Sequence, residues 1–404
     1  MNIAFLAPEF LPNWGGAGTY SIELVKYLSK KHNVHVITLS RKIDNGSMYS
    51  EEKILDFFDN KIHLHTISTA NDTFLYNASF QYACFKQLPK ICKESCIDII
   101  HADVPHMSDV ILRLFRSNKN TVTTVHTTIE GHKQGILASG LDFWEMDTSE
   151  KYTLALFPIL KLIQNNYLKR SPTIIAVSRW MKDILKRNYK IEDVNVIHNG
   201  VDPELFSPEK KNNEIKYIDK SRPVVLFSSR MTVAKGAHYL IRAIPGIVKE
   251  DDNVQFIFSG AGAKEQWIRI LEKEGVDKSN YSFLGYLDYS ELAELYAQAS
   301  VFVVPSLYEN LPIRILEAMS SQTAVVASNI CAIPEAITHN ENGILIPPAN
   351  SDAIVDSITT LLHDKTYAEK LARNARKTVL NKFSWQSVGK EIEKVYEDVI
   401  QTSQ

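Results

Sequence analysis

Short apolar strands alternate with helical segments along the whole chain, and this alternation constrains the fold more than any other feature. A strand followed by a helix, repeated many times, is typical of parallel sheets with helices on both faces. The chain is therefore predicted to be an α/β protein with two doubly wound parallel sheets. The predicted strands are Ile3–Ala7, Val34–Leu39, Ile62–Ile67, Ile97–Ala102, Thr121–Val125, Thr173–Val177 and Val194–Ile197 in the first half, then Val224–Ser228, Val254–Ser259, Tyr281–Leu284, Val301–Val304, Ala324–Ser328 and Gly343–Ile346.

Length and turn signals predict where the chain divides. Its 404 residues exceed what one hydrophobic core usually holds, so two domains are expected. Asn199-Gly200 and Asp202-Pro203 are turn signals between the two runs of strands. We expect one domain at residues 1–198 and another at 199–384. A hydrophobic fraction of 45% is ordinary for a globular protein, and a net charge of −2 argues against a general nucleic-acid binder.

Two carboxylates, Glu309 and Glu317, lie eight residues apart around the start of a predicted helix. The turn runs from Pro305 to Leu311, and Pro312 is predicted as the first helical residue, where its missing N–H costs nothing. A helix N-terminus favours phosphate, because its unpaired amides and the helix dipole both attract an anion. A diphosphate beside carboxylates that bind sugar hydroxyls would describe a nucleotide-sugar site. Solvated helix charges are the alternative for the pair taken alone.

Two cations, Arg230 and Lys235, follow the strand that ends at Ser228, and a helix is predicted from Ala237. Open α/β sheets bind ligands at the C-terminal edge of their strands. Both side chains could neutralise a diphosphate there, Arg230 as a flat fork and Lys235 as a point charge. Taken alone, cations in this position are more often surface charges.

Glycines follow the first strand at Gly15, Gly16 and Gly18, before a helix predicted to begin near Tyr20. Glycine lets a backbone approach a ligand closely, although a flexible loop explains the segment equally well. A dinucleotide fingerprint would place its glycines directly after the strand, with an acid ending the second strand. Here the second strand ends at Ser40-Arg41, so a nicotinamide site is rejected, except for an NADP site with Arg41 on the phosphate.

His126 ends the fifth predicted strand, at the edge where a ligand would bind. Taken alone, a histidine in this position is more often structural than catalytic. Its tautomer cannot be read from the sequence.

Cysteine usage and the first residues favour a cytoplasmic protein. No His or Cys set completes a zinc site around the cysteines, so reduced thiols and no metal are expected. The N-terminus lacks a basic region and reaches Glu9 early, which predicts a strand rather than a signal peptide. No run of about 20 apolar residues is present, so no membrane span is predicted. The cysteines are Cys84, Cys92, Cys96 and Cys331.

Positive charge is concentrated between residues 161 and 190, where Asp183 is the one acid. The segment Arg179–Lys190 has interleaved apolar residues, which is typical of a basic amphipathic helix on the inner face of an anionic membrane. An ordinary domain helix with its apolar side in the core has the same pattern, so both interpretations stay open. The cations are Lys161, Lys169, Arg170, Arg179, Lys182, Lys186, Arg187 and Lys190.

In order and spacing, these motifs resemble the retaining glycosyltransferases of the GT-B fold, family 4 (glycosyl transferases group 1). The mark of that family is a Glu, seven residues and a second Glu, here Glu309 and Glu317. The other matching segments are Gly15-Gly16, His126, Val177-Ser178, His198–Phe206, Arg230 with Lys235-Gly236, Ser259–Gly262, Phe283–Tyr286, Pro305-Ser306 and Asn342-Gly343.

The resemblance implies two Rossmann-like domains that face a central cleft. The first domain would carry the acceptor side, and the second would bind the nucleotide sugar. The last helix, within residues 385–404, would return to the first domain. The segment Ile129–Glu150, read as irregular and containing Trp144, is our candidate acceptor loop.

The resemblance also implies the roles of the site residues. His126 would lie over the reacting sugar, Arg230 and Lys235 on the diphosphate, and Glu309 on the sugar hydroxyls, and these four are the catalytic candidates. Pro312 stands where many members have Gly, which removes an amide donor. The donor-binding set is Gly15, Gly16, Arg230, Lys235, Gly260, Gly262, Gly285, Tyr286, Glu309, Asn310, Leu311, Ile313 and Glu317, with Glu317 on the ribose and Gly285-Tyr286 beside the base.

The implied activity is retaining transfer of a hexose or N-acetylhexosamine to a hydroxyl of a glycan, glycolipid or small molecule. A UDP-sugar is the favoured donor and a GDP-sugar the next. No cofactor is expected and, since no Asp-x-Asp is present, no metal bridging the diphosphate. A sugar-nucleotide epimerase and a non-catalytic partner subunit of the same fold are the alternatives.

Overall fold

The computed structural model describes residues 1–12, 15–41, 48–70, 76–104, 106–115, 120–138, 148–212, 215, 218–260, 262 and 264–403. Its strands are β1 (Asn2–Leu6), β2 (Asn33–Arg41), β3 (Ile62–Ala70), β4 (Ile99–Val104), β5 (Thr121–Val125), β6 (Thr173–Ala176), β7 (Asn195–Val196), β8 (Val224–Ser228), β9 (Gln255–Ser259), β10 (Tyr281–Gly285), β11 (Val301–Val304), β12 (Ala324–Ser328) and β13 (Ile344–Ile346).

The helices alternate with these strands. They are α1 (Gly16–Leu28), α2 (Glu51–Phe57), α3 (Tyr76–Glu94), α4 (Val110–Phe115), α5 (Ile129–Ala138), α6 (Thr148–Ala155), α7 (Phe157–Lys169), α8 (Arg179–Ile184), α9 (Ala237–Glu250), α10 (Glu265–Lys273), α11 (Tyr289–Gln298), α12 (Ile313–Ser320), α13 (Ile333–Ala336), α14 (Ser351–His363), α15 (Lys365–Lys382) and α16 (Trp385–Ser403).

The chain forms two compact units, each built on one parallel sheet. Unit 1 comprises Met1–Lys133, Phe143–Gly200 and Trp385–Gln404, and its strands have the order β3-β2-β1-β4-β5-β6-β7. Unit 2 comprises Gln134–Asp142 and Val201–Ser384, with the order β10-β9-β8-β11-β12-β13. The paired strands run parallel in both. The predicted α/β class with two doubly wound sheets is confirmed.

In each unit the strand order reverses direction at one point. In unit 1 the reversal lies between β1 and β4, and in unit 2 between β8 and β11. Loops leave the carboxyl ends of these neighbouring strands in opposite directions, which opens a crevice above the sheet. Each unit therefore has a ready place for a ligand at the edge formed by those two strands.

Apolar side chains fill both faces of each sheet. In unit 2, Phe227, Phe256 and Ile244 belong to one buried cluster that packs α9 and α14 against the strands. In unit 1, Leu6 and Phe80 belong to a cluster under α3, while further clusters cover the rest of the sheet. Among the described residues, no helix combines the length and apolar character that crossing a bilayer requires.

Several local predictions were wrong. Helix α1 begins at Gly16 rather than near Tyr20, so Gly18 lies within its first turn. Pro312 is the residue before α12, with φ −72° and ψ 123°, and not its first helical residue. Residues 129–138 form α5 instead of an irregular loop, whereas Trp144 lies outside the described residues.

The segment Arg179–Lys190 is not one amphipathic helix. It forms α8, then a π-helical turn at Leu185–Tyr189, and ends at Lys190 in the left-handed region. Met181, Leu185 and Tyr189 are buried in the core of unit 1. The apolar side of this segment is therefore used inside the fold, as the second of the two interpretations predicted.

Candidate functional site

The loops after β8 and β11 form the centre of the candidate site in unit 2. These strands are neighbours at the reversal point of the sheet, so their loops begin side by side. The Leu307 amide donates to the Ala234 carbonyl (2.9 Å), which ties one loop to the other. This placement puts Arg230, Lys235 and Glu309 on one edge of one sheet.

Lys235 and Glu309 form an ion pair, with Nζ donating to Oε1. The side chains are 23% and 13% exposed, so the pair is partly desolvated but open to a ligand. Ser306 Oγ also donates to the same Glu309 oxygen (3.3 Å). A cation and a carboxylate at this edge can bind a diphosphate and sugar hydroxyls respectively.

Gly236 makes this approach of the two loops feasible. It has φ +70°, and a Cβ on it would lie 1.8 Å from the Pro305 carbonyl oxygen. A side chain would therefore force the two loops apart. Gly236 also precedes α9, so its left-handed backbone turns the chain from the Lys235 loop into the helix.

Three glycines of the predicted donor set line a neighbouring cavity in unit 2. Gly260 and Gly285 are joined by a 2.6 Å hydrogen bond between the Gly260 amide and the Gly285 carbonyl. A Cβ on Gly260 would lie 2.0 Å from the Ser229 carbonyl oxygen, so that loop touches the Arg230 loop. The cavity has a volume of about 210 Å³ and is lined by Gly260, Gly262 and Gly285 together with Met231, Phe258, Lys264, Glu265, Phe283 and Leu284.

Arg230 and Tyr286 border this region and are both exposed. The Tyr286 side chain is 54% exposed, and partial burial raises its pKa. An exposed aromatic ring beside a glycine-rich cavity offers a face for a planar base.

Glu317 has a different environment from Glu309. Its side chain is 1% exposed, and it lies on α12. The Tyr289 hydroxyl donates to its Oε1 (3.1 Å), and Arg314 Nη1 pairs with its Oε2 (3.2 Å). Burial opposes the charge on Arg314, but the nearby Glu317 carboxylate raises the pKa of that guanidinium above its ordinary value. Glu317 is thus a buried carboxylate whose two oxygens already have partners.

The start of α12 contributes backbone rather than a side-chain cap. No side chain caps its N-terminus, and Pro312 itself has no amide hydrogen to offer. Leu311 and Ile313 are buried, while Asn310 is partly buried in the loop beside Glu309.

Sequence reasoning missed three residues around the two glutamates. Arg314 stands three residues before Glu317, and this spacing on a helix could have predicted the pair. Tyr289 and Cys331 have no such signal. The Glu309 amide faces the Cys331 thiol, and burial raises the pKa of that thiol.

In unit 1 the first loop is held by a partly buried acid, Glu9, and a buried base, His106. Glu9 accepts from the Gly15 amide through Oε1, and its Oε2 lies 3.2 Å from His106 Nε2. Burial opposes both charges, but this contact lowers the pKa of Glu9 and, with nearby Asp103, raises that of His106. Gly16 has open space around it, since a Cβ there would meet nothing within 4 Å.

Asp103 and His126 lie at the same edge of the sheet in unit 1. Asp103 is the penultimate residue of β4, is 2% exposed, and has a pKa that burial raises to about 6. His126 follows β5 with its ring 4.5 Å from that of Tyr20. Burial lowers the pKa of His126 to about 3, so its imidazole is neutral at pH 7. Glu9, Asp103 and His106 were not predicted from the sequence.

The two predicted groups are thus each brought together within their own unit. Lys235, Glu309 and the glycines share one edge of unit 2, while Gly15, Gly16 and His126 share one edge of unit 1. Within the part of the chain that the structure describes, no group of three or more His, Cys, Asp or Glu side chains is arranged to hold a metal ion.

Two family models match the chain. The model described as glycosyl transferases group 1 matches residues 208–378, and the model described as glycosyltransferase family 4 matches residues 14–205. Together they span nearly the whole chain, with the division between them close to the turn at Asn199-Gly200.

Named relatives and solved structures agree with these matches. An uncharacterized glycosyltransferase of Methanocaldococcus jannaschii is 35% identical over 55% of this chain, and the match spans 59% of that relative's length. Sucrose-phosphate synthase of Thermosynechococcus elongatus has a TM-score of 0.78 at 19% identity, covering 99% of both chains. The Anabaena protein HepE, solved in complex with UDP and glucose, has a TM-score of 0.72 at 19% identity, covering 98% of this chain and 100% of its own.

Proposed function

Because this chain belongs to glycosyl transferases group 1, with a family 4 N-terminal half and the GT-B fold, we propose that it is a retaining glycosyltransferase. It transfers a hexose or N-acetylhexosamine from a nucleoside-diphosphate sugar to a hydroxyl of an acceptor. A UDP-sugar is the favoured donor and a GDP-sugar the next. The UDP complex of the similar Anabaena protein supports this preference.

The ion pair between Lys235 and Glu309 carries the proposal. Without a ligand, each charge neutralises the other at the reversal point of the sheet. A donor diphosphate would attract Lys235, and Glu309 would then be free to accept from hydroxyls of the sugar. Lys235 and Glu309 would therefore have partners in both states: each other in the empty site, and the diphosphate and sugar hydroxyls of the donor in the occupied site.

Charge stabilisation is the main catalytic contribution. Negative charge grows on the diphosphate as the glycosidic bond breaks, and Arg230 and Lys235 are cations that could stabilise it at that edge. The backbone amides at the start of α12 add partial positive charge. Since protein cations do this work, the proposed reaction needs neither a metal ion nor a cofactor.

The ribose of the donor would compete with Tyr289 for Glu317. Glu317 is closed to solvent by its contacts with Tyr289 and Arg314, so a ribose reaches it only if one of them moves. A ribose hydroxyl can take the place of the Tyr289 hydroxyl and donate to the same oxygen. Tyr286 and the adjacent glycine-lined cavity would then receive the base.

His126 would act as a neutral group over the reacting sugar. Its lowered pKa keeps the imidazole uncharged, so it can donate one hydrogen bond from the ring without adding a positive charge. We assign no covalent nucleophile to the protein. The leaving diphosphate and the incoming hydroxyl lie on one face of the sugar, which gives retention.

The test is a donor panel measured by thermal shift and by release of free nucleoside diphosphate. One nucleotide series should raise the melting temperature, since a ligand at 100 times its Kd stabilises by about 2.7 kcal/mol. EDTA should change neither readout. Lys235→Ala should lower turnover by roughly 10²–10³, as expected when one group that stabilises developing charge is lost.

Lys249→Ala, an exposed lysine on α9, is the matched control and should behave as wild type. Conversion of the donor sugar without an acceptor would show an epimerase instead. No shift with any nucleotide, or a shift that needs metal, would contradict the proposal.

A further inference from the structure

An exposed apolar stripe runs along one side of α6 and α7 in unit 1. The Leu156 amide donates to Tyr152 O and the Leu160 amide to Leu156 O, both at 2.9 Å, so the two helices continue into each other. Large apolar side chains recur at helical spacing on the solvent side. They are Tyr152 (48% exposed), Leu156 (36%), Ile159 (59%), Leu162 (62%) and Ile163 (37%).

The opposite side of α7 is packed in the hydrophobic core of unit 1. Tyr167 and Leu168 are 1% exposed and pack in a buried cluster with residues of α8. The Tyr167 hydroxyl donates to Asp109 Oδ1 (2.7 Å), and Gln164 accepts from the Ile129 amide (2.9 Å). The exposed stripe is therefore additional to what folding of unit 1 uses.

The surface extends beyond α7. Arg170 Nη1 donates to the Arg113 carbonyl (3.3 Å), which places the end of α4 beside the end of α7. There Leu114 and Phe115 are 51% and 73% exposed. Exposed large apolar side chains grouped in this way are typical of an interaction site.

After Glu150, the helix that carries the stripe bears cations and no acid. No Asp or Glu occurs between Lys151 and Lys182, a segment that contains six cations. Lys161 pairs with Glu130 and Lys182 donates to the Val194 carbonyl, whereas Lys169 and Arg170 are exposed at the C-terminal end of α7. An apolar stripe that ends in two exposed cations, with the adjacent Glu130 already paired with Lys161, complements an anionic lipid surface.

We propose that the α6–α7 stripe docks unit 1 on an anionic lipid bilayer. The helix lies in the plane of the surface, with Ile159, Leu162 and their neighbours at the boundary between headgroups and acyl chains. Lys169 and Arg170 contact the headgroup phosphates. This places the lipid contact on α7, whereas the segment Arg179–Lys190 singled out from the sequence has its apolar side in the core. The inference is independent of the proposed glycosyl transfer.

The test is co-sedimentation of the full chain with vesicles of phosphatidylcholine alone or mixed equally with phosphatidylglycerol. Wild type should bind the mixed vesicles, more weakly at high salt because ions screen the headgroup charge. Ile159→Ser with Leu162→Ser should weaken binding by at least about tenfold, which corresponds to about 1.4 kcal/mol. Lys169→Gln with Arg170→Gln should remove the preference for phosphatidylglycerol.

Matched controls lie on unit 2. Ile270→Ser with Leu380→Ser removes exposed apolar side chains, and Lys370→Gln with Arg373→Gln removes exposed cations. Both should bind as wild type, and melting curves confirm that every variant is folded. Absence of wild-type binding, or equal losses in test and control variants, would overturn the proposal. The proposal would also be overturned if the wild type were a dimer, the Ile159→Ser, Leu162→Ser variant were a monomer, and neither protein bound vesicles.

Discussion

Glu309 and Glu317 show how two identical residues acquire different chemistry from their surroundings. Glu309 faces a lysine at an open edge, whereas Glu317 is 1% exposed and receives hydrogen bonds from Tyr289 and Arg314. A carboxylate at an open edge can adjust its hydrogen bonds to the sugar hydroxyls as the sugar reacts. A buried carboxylate with fixed partners is better suited to hold an unreacting part of the ligand.

Exchange of each glutamate for glutamine should therefore have different kinetic effects. Glu309→Gln is expected to lower turnover more than nucleotide affinity. Glu317→Gln is expected to weaken nucleotide binding by about 1.5–3 kcal/mol, the cost of losing a charged hydrogen bond. Nucleotide titration calorimetry and steady-state kinetics separate the two effects, with Glu274→Gln, exposed at the end of α10, as the control. The reverse pattern would mean that the sugar and ribose ends are exchanged.

Helix α16 is held in unit 1 by contacts along its length. Near its start, Trp385 packs beside Gly200, where a Cβ would lie 2.6 Å from the indole. Further along, Glu393 accepts from the Tyr27 hydroxyl (2.8 Å) and contacts His32 (2.9 Å). The buried Tyr396 contacts His101 beneath the sheet. One glycine, Gly389, allows α16 to approach α1 this closely.

Gly389→Ala should destabilise unit 1. The new Cβ would lie 2.2 Å from a Tyr27 ring carbon, and Tyr27 is 8% exposed and held by Glu393. Overpacking costs about 1–3 kcal/mol, which exceeds the gain of up to about 1 kcal/mol from replacing Gly by Ala in a helix. Urea unfolding measures the difference. Lys390→Ala, exposed on the same helix, is the control, and a more stable Gly389→Ala would contradict the packing described.

Titratable groups are buried unequally in the two units. In unit 1 the pKa values of His101 and His126 are lowered to about 3 and that of His35 to about 4, each mainly by burial. Asp103 and His106 shift upward and partly offset this effect. Among the described residues of unit 2, the histidine with a lowered pKa is His238, at about 4.

Acidification should therefore weaken unit 1 more than unit 2. Some histidines stay neutral in the folded protein but bind a proton when it unfolds. Each of them lowers the free energy of unfolding as the pH falls below the ordinary histidine pKa. The pKa of His101 is 6.5 in the unfolded chain and about 3 in the folded protein, so its protonation lowers the free energy of unfolding by about 2 kcal/mol at about pH 5. Hydrogen exchange read by peptide should show opening free energies that fall more in unit 1 between neutral and acidic pH. A larger fall in unit 2 would contradict the burial of these histidines.

The amino-acid sequence determined the class of fold and the position of most strands. Strand signals are local, because a run such as Val301–Val304 is apolar and β-branched whatever surrounds it. The family motifs could also be identified from the sequence, since order and spacing along the chain suffice to find Glu309 and Glu317. The donor and catalytic roles assigned to these residues remain predictions for the experiments above.

Which residues lie in contact depends on how the strands and helices pack. The contact of Lys235 with Glu309 spans 74 residues and depends on β8 lying beside β11, which no local pattern specifies. Glu9 meets His106, and Tyr289 meets Glu317, for the same reason. Which side of a helix is buried was also undecided, because an apolar stripe looks alike whether it faces a core or solvent. Packing resolved this in opposite ways, burying the apolar side of α8 and leaving the stripe on α7 exposed.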